Sequence, residues 1–125
     1  MTGRAQPAAQ EGRYMSIFVT VEDQEGEPKI DAFELEGIFR HFPREGGSCL
    51  RFISETDDAS FNPAQGTELL AELQALAAAI AASGKELKPP VRSEFDRLLG
   101  VCGKHAGKKN TYIRFYGEAK SGAEN

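Results

Sequence analysis

The chain has 125 residues, of which 40% are hydrophobic and 27% charged, and its formal net charge is −4. A chain of this length forms one domain that can bury a core without metal or disulfide support. The negative balance argues against bulk electrostatic binding to nucleic acid or an anionic membrane; no apolar run reaches the roughly 18 residues of a spanning helix, and the start lacks the apolar core of a signal peptide.

Residues 1–14 are polar, rich in Ala, Gln and Gly, and without periodicity. They are expected to be a disordered leader, with Met15 a candidate translation start. The folded domain is expected over 15–117, followed by a disordered tail over 118–125. Ser16 to Glu22 alternates, with Ile17, Val19 and Val21 on one face and Phe18, Thr20 and Glu22 on the other, which predicts a strand. Asp23 to Pro28 reads as a charged turn. Leu35, Ile38, Phe39 and Phe42 then recur at helical spacing, and Asp31 with Glu34 fits a capping box. Residues 30–35 also fit an extended segment, but the stripe favours a short helix over about 32–42, ended by Pro43 and Gly46-Gly47.

Cys49-Leu50-Arg51-Phe52-Ile53 and Tyr112-Ile113-Arg114-Phe115-Tyr116 are near copies, each apolar around one arginine. Both are predicted as strands. In a shared register the two guanidiniums would lie on one side of the sheet, where a carboxylate or phosphate could be held. Ala59-Ser60-Phe61 reads as a short return strand. Asn62-Pro63 with Gln65 marks a helix start, Leu69, Leu70, Leu73, Leu76, Ala77 and Ile80 form its apolar stripe, and Gly84 ends it. Pro89-Pro90 opens a second helix with Val91, Phe95, Leu98, Leu99 and Cys102 on one face. Gly107 to Asn110 is a turn into the last strand. The expected fold is α/β or α+β: a sheet of three to four strands carrying two long helices and one short one. The long helical connections favour parallel pairing. Val19, Phe52, Leu73, Ile80, Phe95, Leu99 and Phe115 are the expected core.

Cys102 and His105 have a C-x-x-H spacing, but Cys102 lies on an apolar stripe, so no metal site, cofactor or catalytic residue is assigned. Cys49 and Cys102 read as buried thiols of a protein in the reducing cytoplasm. Charge is more informative. Glu22 to Asp58 holds eleven acidic and four basic residues, whereas Lys85 to Lys120 holds nine basic and four acidic ones. An acidic region of this kind can steer a basic partner. The basic half mixes cations with aromatics, as single-strand binders do, although the order of an RNA-recognition strand is missing.

Residues 49–62, Cys-Leu-Arg-Phe-Ile-Ser-Glu-Thr-Asp-Asp-Ala-Ser-Phe-Asn, with the closing strand Ile113 to Gly117, resemble a segment of small bacterial α/β proteins, some of which look like immunity partners of secreted toxins. The inferred element order is also similar to the barstar fold, which inhibits a ribonuclease through acidic residues. The resemblance implies a non-enzymatic protein-binding module, an immunity protein or inhibitor, that meets a basic protein partner. The acidic residues expected to do so are Glu22, Glu25, Asp31, Glu34, Glu55, Asp57 and Asp58. The alternative is a small nucleic-acid-associated protein using Lys104, Lys108, Lys109 and Arg114.

Overall fold

Two six-residue strands, β1 (Ile17–Glu22) and β4 (Tyr112–Gly117), pair antiparallel along their whole length, from Ile17 opposite Gly117 to Glu22 opposite Tyr112. Two three-residue strands flank them: β2 (Phe33–Leu35) on β1 and β3 (Ala59–Phe61) on β4. The sheet order is β2-β1-β4-β3, antiparallel throughout. This is the architecture of a computed structural model that describes residues 16–117. The leader expected over 1–14, Met15 and the tail expected over 118–125 lie outside the described residues.

The fold is α+β, and the expected parallel pairing is corrected. One helix between two strands returns the chain for a parallel pair. Here two helices lie between β3 and β4, namely α1 (Pro63–Ser83) and α2 (Pro89–His105). The second helix reverses the chain once more, so β4 enters antiparallel to β3. β1 and β2 are joined by a hairpin connection, which gives the same sense.

α1 begins where its cap residues dictate. Asn62 Oδ1 accepts from the Gln65 amide at 2.9 Å, Gln65 Oε1 accepts from the Asn62 amide at 3.0 Å, and Pro63 occupies the first helical position. It ends at Gly84, whose φ of 75° suits a residue without a Cβ. Both helices pack on one face of the sheet. Leu69 and Leu73 of α1 and Phe95, Leu98 and Cys102 of α2 join Ile17, Val19, Val21, Phe61, Ile113 and Phe115 in one core. Phe61 meets Phe115 edge-to-face at 5.8 Å. Ile80 and Leu99 lie at the margin of this core, partly buried.

The segment between β2 and β3 departs furthest from expectation. In place of a helix over 32–42 there is β2 followed by a 3-10 turn, Ile38–His41. In place of a strand over 50–53 there is a second 3-10 turn, Leu50–Phe52. The burial pattern gives the reason. Leu50 and Ile53, three residues apart, are both buried, which matches three residues per turn rather than an alternating strand. Phe52 is therefore not in the core: it is 53% exposed, with the Arg51 guanidinium 4.4 Å from its ring centroid. Arg51 is not in the sheet at all, so the expected pairing of Arg51 with Arg114 on one sheet face does not occur.

Two helix carboxylates hold these turns. Glu94 of α2 accepts from the amides of Glu36, Gly37 and Ile38, at 2.9 Å for Ile38. Glu72 of α1 accepts from the amides of Ser48, at 2.7 Å, and Leu50, at 2.9 Å. Each satisfies donors that a short 3-10 turn leaves free at its start. Among the described residues, no helix is long and apolar enough to cross a membrane.

Leu73→Ala should lower stability by about 2–5 kcal/mol by emptying a fully buried site. Glu94→Ala should cost about 1–3 kcal/mol by leaving backbone donors without their acceptor. Urea titration followed by circular dichroism checks both.

Candidate functional site

The helices cover one face of the sheet, and alternation sends every second side chain of β1 and β4 to the other. That second face carries Phe18, Thr20 and Glu22 from β1 and Tyr112, Arg114 and Tyr116 from β4, with Glu34 and Ser60 from the edges. Register sets them in rows. Glu34, Phe18 and Tyr116 lie side by side, Thr20, Arg114 and Ser60 form the next row, and Glu22 faces Tyr112 beyond them. Phe18, Tyr112 and Tyr116 are each partly exposed.

A polar network centred on Glu22 occupies the middle of this face. Thr20 Oγ1 donates to Glu22 Oε2 at 2.7 Å, and the Tyr116 hydroxyl donates to the same oxygen at 2.9 Å. Arg114 Nη1 stands 3.3 Å from Glu22 Oε1. The Arg114 guanidinium also lies 5.7 Å from the centre of the Tyr112 ring, and its buried Nε has no hydrogen-bond partner. Glu22 is buried, and its carboxylate is occupied by donors of its own sheet. It therefore organises the face rather than offering charge to a partner. Burial pushes the Tyr116 phenol above its ordinary value; Arg114 draws it back and Glu22 raises it further.

The other expected acidic residues fall into separate places. Glu55, Asp57 and Asp58 lie in the turn before β3, at the Gly117 end of the sheet. The Ser54 hydroxyl accepts from the amides of Thr56 and Asp57, and Asp58 Oδ1 accepts from the Gly117 amide at 3.2 Å. The turn lies so close to β4 that a Cβ on Gly117 would come within 2.5 Å of the Glu55 carbonyl oxygen. Glu34 stands on the opposite edge of the same end, exposed. Glu25 is in the hairpin turn beyond Glu22, where Asp23 Oδ1 accepts from its amide, and Asp31 is exposed in the connection to β2. A six-residue strand spans about 17–20 Å, so Glu25 is set apart from the Glu34 and Asp57 end.

The basic residues divide as well. Lys104 and His105 end α2, and Lys108 and Lys109 lie in the turn before β4. Asn110 Oδ1, in that turn, accepts from the Gln24 amide of the acidic hairpin at 2.9 Å, whereas Arg114 projects from the open face and is engaged with Glu22. Lys29, which the sequence did not single out, joins the lysines: its Nζ donates to Thr111 Oγ1 at 2.9 Å. Partial burial, together with Lys104, Lys108 and Lys29, pushes His105 below its ordinary pKa of 6.5.

Cys102 is fully buried among apolar side chains, which drives its thiol from about 9 up to about 12. Cys49 is also buried, and burial raises it too. Both are free thiols. Among the described residues, no group of three or more His, Cys, Asp or Glu could hold a metal ion. A cleft of about 530 Å³ opens between the helices, lined by Ile80, Leu87 and Phe95 together with the charged Lys85, Glu86, Arg92 and Asp96.

Sequence reasoning missed Glu72 and Glu94, whose roles depend on backbone donors more than twenty residues away in the chain. It also missed the aromatic face, although the alternation in both strands carried that signal. No protein-family model, curated protein or solved structure matches the chain.

The Cys102 thiol should be inert to a thiol reagent in the native state at neutral pH and react on unfolding. Because its folded pKa is raised, its contribution to stability is complete below about pH 9 and is lost as pH rises toward about 12. Tyr116, also raised, acts in the same direction. Urea midpoints should therefore fall over that window, and less steeply in Cys102→Ala.

Proposed function

We propose that this chain is a non-enzymatic protein-binding module, of the inhibitor or immunity kind, that receives a basic partner on its open sheet face. The observation that carries this reading is the composition of that face. Three partly exposed aromatic side chains, Phe18, Tyr112 and Tyr116, surround an internally neutralised Glu22–Arg114 pair. Carboxylates stand at both edges of one end, Glu34 on one side and Glu55, Asp57 and Asp58 on the other. Aromatic side chains supply contact area at protein interfaces, and rim carboxylates speed the approach of a cationic partner. The compartment that goes with this reading is the cytoplasm, where the two thiols stay reduced.

Of the acidic residues, Glu34 and Asp57 are the best placed to steer, because their side chains are exposed and Asp57 is not tied to β4. Asp58 is tied to the Gly117 amide and holds the turn. The nucleic-acid alternative is weaker on this face, because Arg114 is engaged with Glu22 and the surrounding formal charges are acidic.

The partner should be isolated from native cells with the full chain as bait, and its association rate measured against salt. Glu34→Lys combined with Asp57→Lys should slow association about tenfold at low ionic strength and flatten the salt dependence, as loss of steering requires. Phe18→Ala should act on dissociation instead, and Lys108→Ala with Lys109→Ala should change little. A captured partner whose binding rates ignore both the charge reversal and Phe18→Ala would retire this surface as the interface.

A further inference from the structure

α1 is buried better at its start than at its end. Its buried residues, Gly66, Leu69 and Leu73, stop at the midpoint of the helix, and Leu76, Ala77 and Ile80 beyond them are only partly buried. Yet the second half carries no charge: from Leu73 to Gly84, between Glu72 and Lys85, every residue is neutral. At 3.6 residues per turn Ala71, Gln74, Ala78 and Ala82 fall on one line, opposite the inner stripe of Leu69, Leu73 and Ile80. All four are exposed. A helix face turned to water ordinarily carries charged side chains, and a helix that is apolar on every side is one that something covers.

A groove borders this line on each side. One is the cleft of about 530 Å³, where Ala77, Ile80 and Ala81 of α1 face Leu87, Phe95 and Leu99. The other, of about 370 Å³, lies between Ala75, Leu76 and Ala79 of α1 and the turn at Pro43 and Gly46. The exposed alanines therefore form a low crest between two grooves. Helices pack by setting the ridge of one into the groove of the other, and small side chains let their axes come close. Here ridge and groove belong to the same surface. A second copy, turned about a twofold axis, meets each groove with a crest and each crest with a groove.

Charge selects the same occupant. The chain carries a net charge of −4, so like copies repel one another in general. The rim of the larger groove is balanced instead, with Lys85 and Arg92 against Glu86 and Asp96. Arg92 and Asp96 pair within the chain at 3.6 Å, whereas Lys85 and Glu86 have no ion pair among the described residues. Neighbouring charges of opposite sign suit a twofold contact, in which each can meet its opposite on the other copy.

We propose that the outer face of α1, along Ala71, Gln74, Ala78 and Ala82, is a self-association surface whose occupant is a second copy of this chain. The helices lie between this surface and the open sheet face, so the two surfaces work independently and the dimer leaves the sheet face free. The uncharged stretch is only about 20 Å long, short for a standard interface, so the dimer is weak and depends on concentration.

Sedimentation of the full chain over a concentration series tests this. The chain should pass from monomer to dimer between about 1 μM and 1 mM. Ala78→Glu and Ala78→Lys, each at the middle of the crest, should both raise the dissociation constant about tenfold or more. A mere change of overall charge would give these two variants opposite effects, because lysine lowers the repulsion between copies and glutamate raises it. Both residues suit an exposed helix position, and circular dichroism checks that the variants fold. Ser60→Glu places the same negative charge on the open sheet face and should leave association unchanged. A chain that stays monomeric up to about 1 mM refutes the second copy and leaves the crest to a different protein. The proposal also fails if the dimer survives both Ala78 variants, if Ala78→Lys strengthens it, or if Ser60→Glu weakens it as much as Ala78→Glu does.

Discussion

The pairing of β1 with β4 is the constraint on which the rest of this structure hangs. It brings together stretches from opposite ends of the described chain, so that the Tyr116 hydroxyl reaches the carboxylate of Glu22, 94 residues away in sequence. Along the whole of both strands it sets which side chains face the helices. Ile17, Val19, Val21, Ile113 and Phe115 go to the core, and Phe18, Thr20, Glu22, Tyr112, Arg114 and Tyr116 go to the other face. A slip of one residue would bury the Glu22–Arg114 pair against the helices and expose the valines. The network on the open face therefore reinforces the register that the hydrophobic face demands.

Everything between these strands is arranged to return the chain to β4. The helical hairpin does so by its parity, since two helices reverse the direction twice. The irregular stretch between β2 and β3 has little sheet or helix pairing of its own, and its backbone donors are satisfied instead by Glu72 and Glu94. Both carboxylates stand on helices whose apolar faces are anchored in the core, so the turns inherit their position from the core. A short 3-10 turn with few internal bonds becomes well defined when an acceptor of fixed position meets its first amides.

The same geometry places the charges. Acidic side chains border one end of the open face, a buried acid is neutralised on that face, and Lys104, Lys108 and Lys109 follow one another at the end of α2 and in the turn before β4, where Asn110 Oδ1 accepts from the Gln24 amide of the acidic hairpin. The two charged halves of the sequence therefore meet in the fold, where the hairpin of Asp23, Glu25 and Glu27 is hydrogen-bonded to the turn that carries Lys108 and Lys109. Arg114 shows how far position overrides composition: it is one of the cations of the basic half, yet it serves to balance Glu22.

The sequence by itself determined those elements whose signals are local. The capping box at Asn62, the glycine stop at Gly84 and the stripe of Leu69 and Leu73 define α1, and strict alternation defines β1 and β4. Residues 59–61 were legible as a strand from the turn before them, but they pair with β4 rather than folding back on residues 48–54, which form no strand. The likeness of Cys49–Ile53 to Tyr112–Tyr116 misled because composition alone does not distinguish alternation from a three-residue period. Ile53 is buried with Leu50 rather than with Arg51. Tertiary structure decided which of those patterns was used, by supplying the carboxylate of Glu72 to the Leu50 amide and a second strand to Tyr112–Gly117. It also decided the membership of the candidate sites, bringing Lys29 to Thr111, withdrawing Glu22 from the acidic set and turning Arg114 away from the lysines. Such assignments rest on contacts between residues far apart in the chain, and no local spacing encodes them.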